Sequence, residues 1–253
     1  MNNLFRLLAI LLLLPTQLLA KNIELDNSSH GSNDEQNNIH LGLDLQTKYI
    51  WRGMEMMTEE STPVIFPQIN YQNKGFYVYA MGGYSLNGKY SEVDLGISYT
   101  YKCLTIGVND YYYPTTTTAN DQYFNFNKNL TGHWIEGVIT ITPEKIPAYL
   151  TISNFFYGAD KKPDGKQAYS TYVEFGIHYD FINNNRLGLA IGAACNESCY
   201  NGYEKGFGIC NVELKYTHTL EFENGWSLPL NVGYIVNPVK EKSFVNFSTS
   251  FAF

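Results

Sequence analysis

The chain has 253 residues, with 17 Lys and Arg against 24 Asp and Glu, a formal net charge of −7. It has no basic stripe that would suit nucleic acid, and none of its apolar runs reaches the ~20 residues that a membrane-spanning helix needs. It is rich in aromatics (21 Tyr, 15 Phe and 3 Trp). A sheet that alternates apolar and polar residues stays open, because its two faces cancel in any average of hydropathy.

In chain order, the first element is a leader. Arg6 precedes an apolar core from Leu7 to Leu14, Pro15 breaks it, and Leu18-Leu19-Ala20 offers a small residue before Lys21. This pattern predicts a secretory signal peptide over 1–20. Residues 21–38 are rich in Asn, Ser and Asp and read as a flexible periplasmic lead-in.

Twelve strands follow, each marked by period-2 alternation and bounded by Gly, Asn or Pro. They are expected at 39–51, 64–71, 76–84, 92–101, 104–112, 133–141, 148–157, 169–181, 187–195, 207–222, 226–236 and 244–253. In the first, Leu41, Leu43, Leu45, Tyr49 and Trp51 share a face, which places Tyr49 and Trp51 in an aromatic belt on the lipid side. The last strand ends on Phe253, with Phe251, Thr249, Phe247 and Val245 in phase. A terminal aromatic strand of this kind suits membrane insertion by the barrel-assembly machinery. The connections alternate strictly. Long ones span 52–63, 85–91, 114–132, 158–167, 196–206 and 237–243; short ones span 72–75, 102–103, 142–147, 183–185 and 223–225. Short periplasmic turns and long extracellular loops are the habit of outer-membrane barrels. The fold expected over 39–253 is therefore all-β: one closed antiparallel transmembrane barrel of about 12 strands. Its expected place is the outer membrane of a Gram-negative bacterium, in contact with outer-membrane lipid.

Phase assigns eleven ionisable residues to the lumen: Asp44, Lys48, Arg52, Glu92, Asp94, Glu136, Glu174, His178, Asp180, Glu213 and Lys215. Acids outnumber bases, which favours small neutral or cationic solutes over anions. Arg52 has candidate partners in Glu92 and in Glu55, Glu59 and Glu60 of the first loop. Twelve strands lie between a barrel filled by side chains and one holding a wide channel. The longest loop, 114–132, is the segment expected to fold inward as a constriction or to present a binding surface.

Enzymatic chemistry is not expected. His178, Asp180 and Glu174 share a strand face, yet the sequence places no nucleophile beside them, and the H-x-S-N-G signature of twelve-stranded phospholipases is absent. The five histidines show no metal-ligand spacing, and no cofactor is expected. Of the four cysteines, Cys103 falls in a turn at the far end. A loop disulfide is expected between Cys195 and Cys199, with Cys199 to Cys210 as the other pairing.

The stretch Thr47-Lys48-Tyr49-Ile50-Trp51-Arg52-Gly53 resembles the S/T-K-Y-x-W-R-G signature of the TorF-like (Gcw-chp type) porin family, with Lys48, Tyr49, Trp51, Arg52 and Gly53 as the motif residues. The family's plan of a leader, about a dozen strands and a terminal aromatic is similar as well. The resemblance implies passive diffusion of small solutes. The alternatives are a plugged barrel that serves as a surface-binding or structural protein and, less favoured, an outer-membrane enzyme.

Overall fold

Alternation decides which way each strand faces, and pairing does the rest. A computed structural model describes residues 38–57, 61–114, 122–182, 184–204 and 206–253. The leader expected at 1–20 and the lead-in up to residue 37 lie outside the described residues. The strands, in chain order, are β1 (Ile39–Gln46), β2 (Ile50–Trp51), β3 (Met54–Glu55), β4 (Val64–Asn73), β5 (Phe76–Ser85), β6 (Ser91–Tyr101) and β7 (Leu104–Tyr112). They continue with β8 (His133–Ile141), β9 (Ala148–Gly158), β10 (Thr171–Phe181), β11 (Asn185–Ala194), β12 (Gly208–Glu221), β13 (Ser227–Asn237) and β14 (Lys242–Ala252). Twelve of them form a closed antiparallel barrel in which each strand pairs with its sequence neighbour and β1 pairs with β14. β2 and β3 form a separate two-stranded ribbon.

The outer wall is apolar. On β6, Leu95, Ile97, Tyr99 and Tyr101 are exposed, while Glu92, Asp94 and Gly96 turn inward and are buried. On β10, Phe175, Ile177 and Tyr179 are exposed outside and Tyr172 is buried inside. A sheet with its greasy side out and its strands paired in a closed ring is a solution for hydrocarbon, not for water. Phe222, Trp226 and Phe251 stack at one end of the outer wall, with ring centroids 5.0 and 6.0 Å apart.

The connections differ at the two ends. At the end where β1 begins and β14 finishes they are tight. Lys74 and Gly75 link β4 to β5 with φ of +47° and +86°, the two-residue turn whose twist matches a hairpin. We call this the turn end and the other the loop end. Two bulges sit near the loop end, at Cys210 opposite Gly192 and Ala193, and at Phe156 opposite Ile135 and Glu136. Bulges bend and re-aim a strand, and both lie beside residues that the lumen hairpin touches, Cys210 against Gly53 and Phe155 against Trp51.

The first expected strand is shorter than its pattern. β1 stops at Gln46, and residues 47–57 leave the wall and fold into the lumen. Tyr49 and Trp51 are therefore not in a lipid-facing belt: Tyr49 is buried against Phe66, and Trp51 packs on Tyr111, Phe155 and Tyr200. Alternation reports phase, and aromatic residues suit a filled lumen as well as a lipid interface.

Of the two courses expected for the 114–132 loop, an inward constriction or a presented surface, the inward one is not taken. Its described part, 122–132, folds outward over the wall rather than into the lumen. Asp110 and His133 are outward-facing at the loop end of β7 and β8, joined at 2.8 Å through His133 Nδ1. The ring lies against the Tyr123 carbonyl at 2.5 Å through Nε2 and stacks on Phe126 at 4.3 Å. Tyr157 donates to the Phe126 carbonyl at 2.5 Å. Both ring nitrogens of His133 thus have an oxygen partner, Asp110 on one side and the Tyr123 carbonyl on the other. The fixed partners are on the outer face, and they draw the loop there. Its Thr115 to Thr118 lie outside the described residues.

Candidate functional site

The site is built by the segment that leaves the wall. Thr47 keeps the last wall bonds, its N–H donating to the Phe247 carbonyl at 2.9 Å. Asn246 Oδ1 then accepts from both Thr47 Oγ1 and Lys48 N at 3.0 Å. Beyond this stitch the chain turns inward. Lys48 stays at the rim, its ammonium 2.9 Å from Glu55 and 3.2 Å from Ser61. Ile50 pairs with Glu55 and Trp51 with Met54, so Arg52 and Gly53 form the tip of a small hairpin. Their φ values of +50° and +76° are those of a two-residue hairpin tip.

Gly53 is required by what it touches. A Cβ there would lie 1.9 Å from the Cys210 carbonyl oxygen on β12. The bulge at Cys210 thus presents its backbone to the tip, and Asn237 Nδ2 donates to the Gly53 carbonyl at 3.0 Å from β13.

Arg52 reaches to the opposite wall. Its guanidinium grips Glu136 of β8 with both arms, Nη1 to Oε1 at 2.5 Å and Nη2 to Oε2 at 3.2 Å, and donates to Tyr200 Oη at 2.5 Å. Tyr111 donates to Glu136 Oε2 at 2.9 Å. The guanidinium also lies over the Trp51 ring at 4.4 Å and the Tyr172 ring at 4.7 Å. Glu136 is wholly buried. A charged pair out of water holds only when fork geometry and further donors compensate for desolvation, and this one has both. Arg52 does not meet Glu55 or Glu92; Glu59 and Glu60 lie outside the described residues. A strand continuing to Trp51 would have left Arg52 at the rim, whereas the inward turn carries it across the lumen.

Two further acids lie under the same segment. Glu92 and Asp94, two apart on β6, are buried. Tyr90 donates to Glu92 Oε2 at 2.7 Å and Tyr49 at 3.5 Å, while Glu92 Oε1 and Asp94 Oδ1 have no hydrogen-bond partner. Glu174 accepts from Tyr149 at 2.7 Å, from Asn211 at 3.1 Å and from Tyr172. Since Tyr172 also lies under Arg52, the two acid sites share a wall.

Toward the turn end the lumen is lined by small polar groups. Thr100 bonds Thr105 at 2.9 Å, Thr140 bonds Thr151 at 3.0 Å and Thr217 bonds Asn231 at 2.7 Å. Asp44, Glu213 and Lys215 face this region by register with Ser250, Ile235 and Gly233. His178 lies 4.0 Å from Asp180, which is gripped instead by Arg186 at 2.6 Å. Asp180 is thus engaged by Arg186 rather than held close to the His178 ring. Among the described residues no group of three or more His, Cys, Asp and Glu converges as a metal site.

The expected Cys195–Cys199 bridge is not formed, and all four cysteines are free thiols. Cys199 opens a short 3-10 helix, Cys199–Asn201, and packs inward, whereas Cys195 is exposed. That helix seats Tyr200 against Arg52, so the loop is ordered by the lumen cluster rather than by a cross-link. Burial pushes the Cys199 thiol up to about 12. Phe253 closes the seam through its backbone, its N–H donating to the Leu41 carbonyl at 2.9 Å, with its ring exposed.

Tyr200, Tyr172, Asn237 and Asn246 complete the site without a sign in the sequence, and Tyr111, which its Tyr111-Tyr112-Tyr113 run suggests for an aromatic belt, is buried here against Glu136. The Arg52-Gly53 pair, a Gly directly after a charged residue in an alternating run, is the one local sign of a hairpin tip.

This geometry defines a membrane-type β-barrel whose own chain crosses the lumen from β1 to Glu136 on β8. No family model matches the chain, and no curated protein matches it. Among solved structures, one described as "Unveiling the Mechanism Behind the in-meso Crystallization of Membrane Proteins" has a TM-score of 0.51 at 8% identity, covering 85% of this chain and 83% of that one. A bacterial polysaccharide outer membrane secretin has a TM-score of 0.42 at 10% identity, covering 87% and 100%. At such identities the first likeness is one of fold alone, and the second carries no argument.

Proposed function

We propose that the barrel resides in the outer membrane of a Gram-negative bacterium and serves as a narrow conduit for small neutral or cationic solutes, closed at rest by residues 47–57. The motif likeness to the TorF-like porins and the acidic lumen support this reading. The observation that carries it is the latch. A polar, acid-lined lumen is crossed at one level by a single hairpin, which is held from the far wall by Arg52 and Glu136. A hairpin hinged at Asn246 and gripped at its tip can be released as a unit, whereas a lumen filled by wall side chains cannot. Wall acids then favour cations at the constriction.

Single-channel conductance in a planar bilayer tests the reading, comparing the native protein with Arg52→Ala and Gly53→Ala. The expected outcome is rare openings in the native protein and sustained, cation-preferring conductance in both variants. Anion preference would overturn the charge argument. Silence in all three would favour the second reading, a closed barrel with a structural or surface-binding role. That reading is favoured by the aromatics exposed on the outward loop.

A further inference from the structure

The lumen holds two acids that the latch does not use. Glu92 and Asp94 lie two apart on one face of β6, which sets their Cα atoms about 6.6 Å apart. They are 0% and 1% exposed. Across the wall, Glu92 pairs with Gly83 and Asp94 with Met81 on β5, and Asp94 pairs with Tyr111 on β7. The cations that enter this end of the lumen are engaged elsewhere, Arg52 by Glu136 and Lys48 by Glu55. Among the described residues no ion pair reaches either acid.

Hydrogen bonds satisfy only part of the pair. Tyr90 and Tyr49 both donate to Glu92 Oε2. Glu92 Oε1 and Asp94 Oδ1 are buried without any partner. Oε1 lies over the backbone of Gly83, where a Cβ would come within 2.7 Å of it. Buried charges are paired or coordinate metals, because an isolated one is too costly to keep from water. Two such oxygens, one from each acid, therefore point to a positive partner.

We propose that Glu92 and Asp94 form a binding site for a hard divalent cation, calcium in preference to magnesium, at the loop end of the lumen beneath Tyr49. An ion about 2.4 Å from each ligand oxygen can bridge two carboxylates spaced as these are. The polar atoms hydrogen-bonded at the pair are all oxygens, which suits a hard ion. The two acid charges match a divalent one. Burial makes the ion shed much of its water, which magnesium does reluctantly. Tyr90, half-buried in the connection that leads into β6, is the side chain between the pair and the loop end. The site rests on the acids of the lumen and not on conduction through it.

The test uses the full-length protein in a neutral detergent at neutral pH, stripped with a chelator and then given calcium, magnesium or sodium. Heat unfolding reads stabilisation. Tyrosine-sensitised terbium emission reads the site itself, since Tyr49 and Tyr90 touch Glu92. Neither readout needs conductance, so a silent bilayer leaves the result standing. Calcium should raise the unfolding midpoint saturably, magnesium less, and sodium little. Glu92→Gln and Asp94→Asn should each weaken the calcium effect and the terbium signal about tenfold. Asp164→Asn, which removes an exposed loop acid, should leave both intact. In chelator, Asp94→Asn should unfold no lower than the native protein, because it removes a buried charge; a lower midpoint would mark Asp94 as structural and overturn the proposal. Equal calcium effects in the native protein and both lumen variants would also overturn it, since the ion would then bind elsewhere. Absence of a calcium effect would overturn it too, and stabilisation by acid in its place would assign the pair a shared proton.

Discussion

Arg52 is one of the few residues of the lumen whose loss leaves a charge with no substitute. Replacing it with Ala strands the buried Glu136 carboxylate, and breaking a buried pair from one side costs about 3–5 kcal/mol. Arg52→Ala should therefore lower the heat-unfolding midpoint sharply. Arg52→Met combined with Glu136→Gln should be much milder, since no ion is then left alone, and equal losses in the two would refute the pairing. Thiol chemistry gives a second check at this scale. Cys103 and Cys195 are exposed, Cys210 is buried, and burial holds the Cys199 thiol near 12, so thiolate is scarce there at ordinary pH. Maleimide at pH 8 should label two cysteines quickly and the other two only on unfolding. Two thiols missing after unfolding would restore the loop disulfide.

At the scale of elements, the tip hairpin depends on a position where only Gly fits. Gly53→Ala adds a Cβ where the Cys210 carbonyl already lies and strains a φ of +76°. The hairpin should then leave its seat, and limited proteolysis should cleave within 47–57 in the variant but not in the native protein. Eleven of the twelve wall strands stand within about two residues of their sequence expectation, because lipid outside and polar groups inside impose a strict period of two. The exception is instructive. Tyr49 and Trp51 keep the phase of Leu43 and Leu45, so alternation alone continues the strand. What ends it is tertiary: Asn246 takes the Lys48 N–H, and the bulges at Cys210 and Phe156 shape a seat. The same holds for the outward loop, whose direction follows from Asp110 and His133 meeting across two strands. No spacing within the loop itself reports that pairing.

The whole molecule closes at the seam between β1 and β14, which has five registered pairs, Gly42 to Gln46 against Ser248 to Ala252. β1 against β4 has eight. Thr47 and Asn246 extend the seam toward the loop end. Hydrogen exchange should therefore be fastest along β1 and β14, and Asn246→Ala should accelerate it there while leaving β10 to β12 protected. Uniform exchange around the ring would refute a weak seam. The seating of the hairpin also has a chronology. Residues 47–57 are made early, yet their anchors come from β8, β12, β13 and the loop at Tyr200. One more anchor lies on β14, where Asn246 accepts the Lys48 N–H, so the last anchor strand is also the last strand of the wall. The hairpin must wait, unsatisfied, for nearly the entire chain. The hairpin's seat thus depends on wall register: a barrel with a misregistered wall would not bring Glu136 and Tyr200 to Arg52.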